Sequence, residues 1–143
     1  MPVTGVDLSN GPNQGTLYVN WIDGAEWRSR RLCDVIARRR RNVSVDPADG
    51  SENIVFYDRR GTEGELTRLT LARSTDGGRT FVNYQIDVSP FVCDSKVFFG
   101  DYSGISAFNG RVVPIFMHFI EKKKLAISVA LFRFKPSTQE PLP

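Results

Sequence analysis

Three stretches of the chain repeat one pattern, and an internal repeat restricts the possible folds more than composition does. Val6–Asp23 (VDLSNGPNQGTLYVNWID), Val43–Asp58 (VSVDPADGSENIVFYD) and Ile105–His118 (ISAFNGRVVPIFMH) each begin apolar, pass through a turn rich in Gly, Asn and Asp, and continue as an apolar run. Each run carries an aromatic residue two positions before a polar one, so Trp21, Phe56 and Phe116 are equivalent, as are Asp23, Asp58 and His118. Turns of this composition join two short strands as a hairpin. The ten Phe, four Tyr and two Trp fall within β-branched runs, which favours strands over helices.

More strands follow the second and third copies. After Asp58 comes the loop RRGTEGE and the strand LTRLTLARS, and then FVNYQIDVS as a fourth strand. After His118 comes FIEKKK and the strand LAISVALFRF, with apolar residues alternating at Leu125, Ile127, Val129 and Leu131. Four antiparallel strands per repeat is the blade of a β-propeller; a sandwich of short strands is the rival architecture. The spacing is uneven: Asp23 and Asp58 are 35 residues apart, Asp58 and His118 60. The first interval holds AEWRSRRLCDVIARRRRN, which lacks the alternation of a strand and whose middle suits a short helix.

The expected fold is therefore all-β, a partial β-propeller of two to three four-stranded antiparallel blades with an Arg-rich irregular insertion. One domain, 1–143, divides into a partial first blade (1–24), the Arg-rich connector (25–42), a complete blade (43–90), a third partial blade (97–135) and a tail (136–143).

Between the third and fourth strands of the second copy stands Ser74-Thr75-Asp76-Gly77-Gly78-Arg79-Thr80-Phe81. It matches the Asp-box, Ser-x-Asp-x-Gly-x-Thr-aromatic. Asp76 is expected to accept hydrogen bonds from the turn's N–H groups, Gly78 to take a positive φ, Ser74 to bond locally, and Phe81 to turn inward against the blade. With VSVDPADGSENIVFYDRRG, LARSTDGGRTF and FFGDYSGISAFNGRVVPIF, the chain resembles the BNR-repeat, sialidase-like propellers of bacteria over about three quarters of its length. The departure is Ala25–Arg41, where that family supplies two more strands.

The resemblance implies a protein of sialidase type, and a sialidase needs a tyrosine nucleophile, an acidic proton donor and several arginines drawn from a complete ring. The family's Phe/Tyr-Arg-Ile-Pro signature is absent. The expected function is a glycan-binding or interaction module without complete catalytic machinery. The alternative is an exo-glycosidase whose ring is completed by oligomerisation or by further sequence. Alternating strand direction gathers Asp23, Asp58, Arg59, Arg60, Asp101, Tyr102 and His118 at one end as ligand-face candidates, with the Asp-box at the other. Pairing of Asp58 with Arg59 and simple packing of Tyr102 is the structural alternative.

Other chemistries lack their residues. His118 is the single histidine and there is no Gly-x-Ser-x-Gly elbow, P-loop or dinucleotide fingerprint. Two cysteines, Cys33 and Cys93, make neither a zinc site nor a disulfide framework, and one bridge stays open. Pro47–Gly50 is a turn without the spaced carboxylates of a calcium loop. No metal or cofactor is expected. The net charge of +3 comes from the seven arginines of Arg28–Arg41, which have Trp27 as their one aromatic neighbour, so nucleic acid is not the expected partner. Neither an apolar run of membrane-spanning length nor a secretory leader is visible, which makes the cytoplasm the default expectation. Open flanks on the first and last blades predict a homo-oligomer with contacts in Leu125–Phe134, and Pro2–Leu8 is the candidate to fill the outer edge of the last blade, within one chain or by exchange between two.

Overall fold

The computed structural model describes residues 3–20, 41–94, 96–97, 99 and 103–135. Among these there is no helix, and ten strands form three antiparallel sheets. The Arg-rich connector falls outside the described residues except for its end, where Arg41 and Asn42 already open a strand.

Strands β1 (Val3–Val6) and β2 (Leu17–Asn20) pair as a hairpin. Strands β3 (Arg41–Val45), β4 (Glu52–Asp58), β5 (Arg68–Ser74) and β6 (Val82–Gln85) form a four-stranded meander in chain order. In the last sheet β7 (Gly104–Phe108) lies on one side of the long β8 (Arg111–Glu121). Strands β9 (Lys124–Val129) and β10 (Phe132–Arg133) follow one another along the other side of β8.

The run read from sequence as one strand, LAISVALFRF, is thus broken, and Pro114 accounts for the break. It accepts from the Ala130 N–H at 3.1 Å but has no N–H to return, so the ladder on that edge lapses at Ala130–Leu131. The tip of the β7–β8 hairpin is Asn109-Gly110, both with positive φ (50° and 73°), the two-residue turn whose twist matches the flanking strands.

The sheets stack in chain order through their first strands, β1 on β3 and β3 on β7. Register pairs assign the two faces of the middle sheet. Glu52, Ile54, Phe56 and Asp58 face the same way as Val43 and Val45, which lie against Gly5 of the hairpin. Val55, Tyr57, Leu69 and Leu71 point the other way, into the last sheet. Tyr57, Phe91, Phe99 and Phe119 form an aromatic cluster there with centroids 5.0–6.3 Å apart, and the buried Tyr57 hydroxyl donates to Met117 O at 2.7 Å.

A carboxylate ties the two turns at the opposite end. Asp46, 0% exposed, accepts from Ala48 N–H within its own turn and from Asn109 and Gly110 N–H (2.9 and 2.7 Å) across the sheet boundary. Within the chain, Val3–Val6 pairs with β2 and not with the edge of the last sheet, because the nearer segment closes the shorter loop. The outer faces at both ends of the stack are apolar and uncovered among the described residues, with Val6, Leu17 and Val19 on one and Phe108, Ile115, Ile127, Val129 and Leu131 on the other.

Asp46→Ala should lower stability by about 1–3 kcal/mol, since two N–H groups of the last sheet lose a charged acceptor. Urea unfolding measures it, and a midpoint equal to the parent's would show that the turns are held together by something else.

Candidate functional site

The end of the stack away from the Ser74–Phe81 turn carries a pocket of about 710 Å³. One wall is the connector from β6 to β7, Val88 to Asp94; the other is the end of β8 and its turn, His118 to Lys122. The connector is held in place by a two-residue bridge in which Thr67 and Phe91 exchange N–H···O bonds of 2.8 and 2.9 Å. Phe91 and Phe119 form the floor and are buried, while Val92 and Ile120 are exposed at the sides. Polar groups are few and sit among apolar ones, as in small-ligand sites generally. His118 Nε2 is 2.9 Å from Ser128 Oγ, Asp94 accepts from Lys96 N–H, and Glu121 lies 3.8 Å from Lys124 on the surface. Cys93, in the same wall, is disulfide-bonded, and the chain's other cysteine, Cys33, lies outside the described residues.

Of the seven ligand-face candidates, His118 alone lines this pocket among the described residues. Asp58, Arg59 and Arg60 stand at the same end, on the neighbouring β4–β5 loop. Asp23, Asp101 and Tyr102 lie outside the described residues. The expected Asp58–Arg59 pair is corrected: Arg60 is the partner. Its backbone N–H, Nε and Nη2 all reach the Asp58 carboxylate at 2.8–3.2 Å, while Arg59 donates to Gly64 O. The i to i+2 spacing lets one residue supply both its backbone and its side chain, which Arg59, adjacent in the chain, cannot do. Burial pushes the Asp58 carboxyl up, but the hydrogen bonds and charge of Arg60, helped by Thr70 Oγ1, outweigh it and hold the group below the ordinary carboxylate range. The Arg60 guanidinium also lies over the Phe56 ring at 5.4 Å.

Ser89, Asp94, Glu121 and Lys122 were not singled out from sequence. The signal was available in part, because FIEKKK reads as the loop after His118, but which residues of the opposite wall face that loop depends on the Thr67–Phe91 bridge.

At the other end, the Ser74–Phe81 turn is a closed hydrogen-bond system. Asp76 accepts from Thr80 N–H (2.9 Å), Thr80 Oγ1 (2.6 Å) and Ser74 Oγ (2.8 Å), and Gly78 N–H donates to Ser74 Oγ at 3.0 Å. Gly78 has φ of 79°. Those donors favour the carboxylate, led by the Thr80 hydroxyl, and bring the Asp76 pKa down to about 2. Phe81 does not turn inward as expected: it is 37% exposed, because the chain there enters β6, whose residues are exposed save for the half-buried Tyr84. The Asp76 carboxylate and the Ser74 and Thr80 hydroxyls are all engaged in holding the turn, so these groups offer structure rather than chemistry.

A tyrosine and a carboxylate do meet in the protein, Tyr18 beside Glu52, but both are covered. Burial first, then the Glu52 charge, pushes the Tyr18 hydroxyl above its ordinary range, which disfavours the phenolate of a nucleophile. Among the described residues no group of three or more His, Cys, Asp or Glu is arranged to hold a metal ion, and no helix is long and apolar enough to cross a membrane. No protein-family model, curated protein or solved structure matches the chain.

Two outcomes check the turn. Phe81→Ala should cost well below the about 3–5 kcal/mol of a buried phenylalanine, and thermal melts decide between the two. Because the folded pKa of Asp76 is depressed, its support of the turn is present above the ordinary carboxylate pKa and is lost as pH falls through about 2. NMR of the Thr80 amide in an acid titration should show its hydrogen bond intact at about pH 4; a transition centred there instead would mean that Thr80 and Ser74 do not bond the carboxylate in solution.

Proposed function

We propose that the protein is a sialidase-like BNR-repeat propeller module that binds a glycan, or another small polar ligand, and lacks complete catalytic machinery. The pocket between the second and third sheets carries this reading. It lies at the end where the loops between second and third strands and the connector between repeats converge, and the Ser74–Phe81 Asp-box lies at the other end. Serial stacking of antiparallel sheets through their first strands, with an Asp-box between the third and fourth strands of a complete four-stranded unit, is what blades of a propeller require. His118, Ser89, Asp94 and Glu121 supply donors and acceptors of the kind that sugar hydroxyls use, on a rim with an apolar floor.

The module reading is favoured over the exo-glycosidase because the covered Tyr18–Glu52 pair lies at the Asp-box end, away from this pocket. The apolar outer faces of the first and last sheets fit a stack continued by further sheets, most simply those of a second copy.

Titration of isotope-labelled protein with 3′-sialyllactose, with lactose as the unsialylated control, is the direct test. Shift changes should concentrate in Val88–Asp94 and His118–Lys122 and weaken in His118→Ala. No change with either sugar at millimolar concentration would remove the glycan reading. Light scattering over a concentration series tests the second copy separately: mass should rise toward a dimer, and a monomer throughout would leave the outer faces to other sequence.

A further inference from the structure

The hairpin β1–β2 and the middle sheet meet over a group of acids that the binding reading does not use. Asp7 and Asp46 occupy the same place in successive repeats, each ending an apolar strand and opening a turn. Each gives Oδ1 to the N–H two residues on, Ser9 at 2.8 Å and Ala48 at 2.9 Å. Their second oxygens differ. Asp46 Oδ2 receives Gly110 N–H from the next sheet. The corresponding donor for Asp7 is Gly50 N–H, which is already given to Asp46 O at 2.8 Å. Asp7, 1% exposed, is left with Oδ2 unpartnered against Gly50, so close that a Cβ there would stand 2.6 Å from it.

Glu52, 3% exposed, faces the same interface from β4, and its Oε1 has no hydrogen-bond partner. Its Oε2 lies against Gly78, 3.0 Å from where a Cβ would be. The Tyr18 hydroxyl comes to it from the hairpin, buried and without a well-formed hydrogen bond. Among the described residues the facing charges are Asp7 from the hairpin and Asp76 from the β5–β6 turn, while the register neighbours Val45 on β3 and Ser74 on β5 bring none. Two buried unpartnered carboxylate oxygens, with no cation among the described residues acting on Glu52, cannot both be ionised cheaply. A proton on Glu52 removes a charge and turns one acceptor into a donor.

We propose that Glu52 is a proton-operated latch for the β1–β2 hairpin: neutral, it holds the hairpin on the middle sheet, and ionised, it releases it. Burial lifts its carboxyl to about 7; the Tyr18 hydroxyl pulls the other way, and the charges of Asp76 and Asp7 add to the rise. The sign follows from that elevation. The docked state binds the proton more tightly than the released state, so docking is complete below the ordinary value of 4.5 and is lost as pH rises through about 7.

Amide protection factors, corrected for the intrinsic pH dependence of exchange, read the latch in the intact chain. Between about pH 5.5 and 8.5 the protection of β1 and β2 should fall roughly tenfold or more relative to Val112–Phe119 of β8. In Glu52→Gln it should stay constant, and in Asp7→Asn the fall should move to lower pH, because the Asp7 charge that adds to the rise is lost. Carbon NMR of the Glu52 carboxyl adds a reading that needs no variant, with a midpoint within about one unit of 7. A midpoint near 4.5, unchanged hairpin protection in the parent, an equal fall in Glu52→Gln, or loss of protection in β8 to the same extent would each overturn the latch.

Discussion

A sheet that is apolar on both faces has to be sandwiched, and the middle sheet is of that kind. Ile54, Phe56 and Ala72 face one way and Val55, Leu69 and Leu71 the other. Burying these side chains removes roughly 1.5–3 kcal/mol of unfavourable exposure for each large one, and only covers on both sides can do it. Sheet-to-sheet stacking therefore precedes every other feature. The hairpin covers one face through Gly5, whose missing side chain lets β1 approach Val43 and Val45, and the last sheet covers the other. Tyr57, at the end of the second face, carries a hydroxyl that would be orphaned in such a core, and Met117 O, from the covering sheet, accepts it.

The two ends of the stack are then left with different tasks. At one end turns crowd together and carboxylates accept their N–H groups: the buried Asp46, Asp49, which is ion-paired with Arg73 at 3.0 Å, and Asp76 at the surface. At the other end the β6–β7 connector stands beside the β8–β9 turn, and the space between them is the pocket. At the first end acids hold turn backbone; at the second, His118 and Glu121 stay at the surface of a cavity.

How far the sequence revealed this can be judged residue by residue. The hairpins around Pro47–Gly50 and Asn109-Gly110, the four strands of the middle sheet and the absence of helix among the described residues were legible, because turn chemistry and alternation are local signals. The break at Ala130–Leu131 was not, since its cause, Pro114, lies on the neighbouring strand and acts through a register that periodicity does not reveal. Phe81 looked like a core residue because its motif is compact, yet it introduces an exposed strand. At the site, His118 was legible as the polar residue ending a repeat. Arg60 in place of Arg59, and the connector wall opposite His118, depend on side-chain reach and on a bridge between distant residues.

The repeat also exposes where the chain departs from itself, and that is where its unused chemistry lies. Asp7 and Asp46 are the same residue in two repeats, but a carboxylate can be satisfied by the next turn only if that turn has a spare N–H. The Asn109-Gly110 turn, two residues long, has two to offer; the longer Pro47–Gly50 turn uses the Gly50 N–H to close itself on Asp46. Equivalence in sequence therefore produces inequivalence in hydrogen bonding. Glu52, raised first by burial and then by the charges of Asp76 and Asp7, is the group that takes up a proton, since Asp76 is held as a carboxylate by three donors and Tyr18 is already neutral. The low pKa of Asp76 and the high one of Glu52 are two sides of one arrangement, in which the turn that needs a charge keeps it and the interface that cannot hold another gives it up.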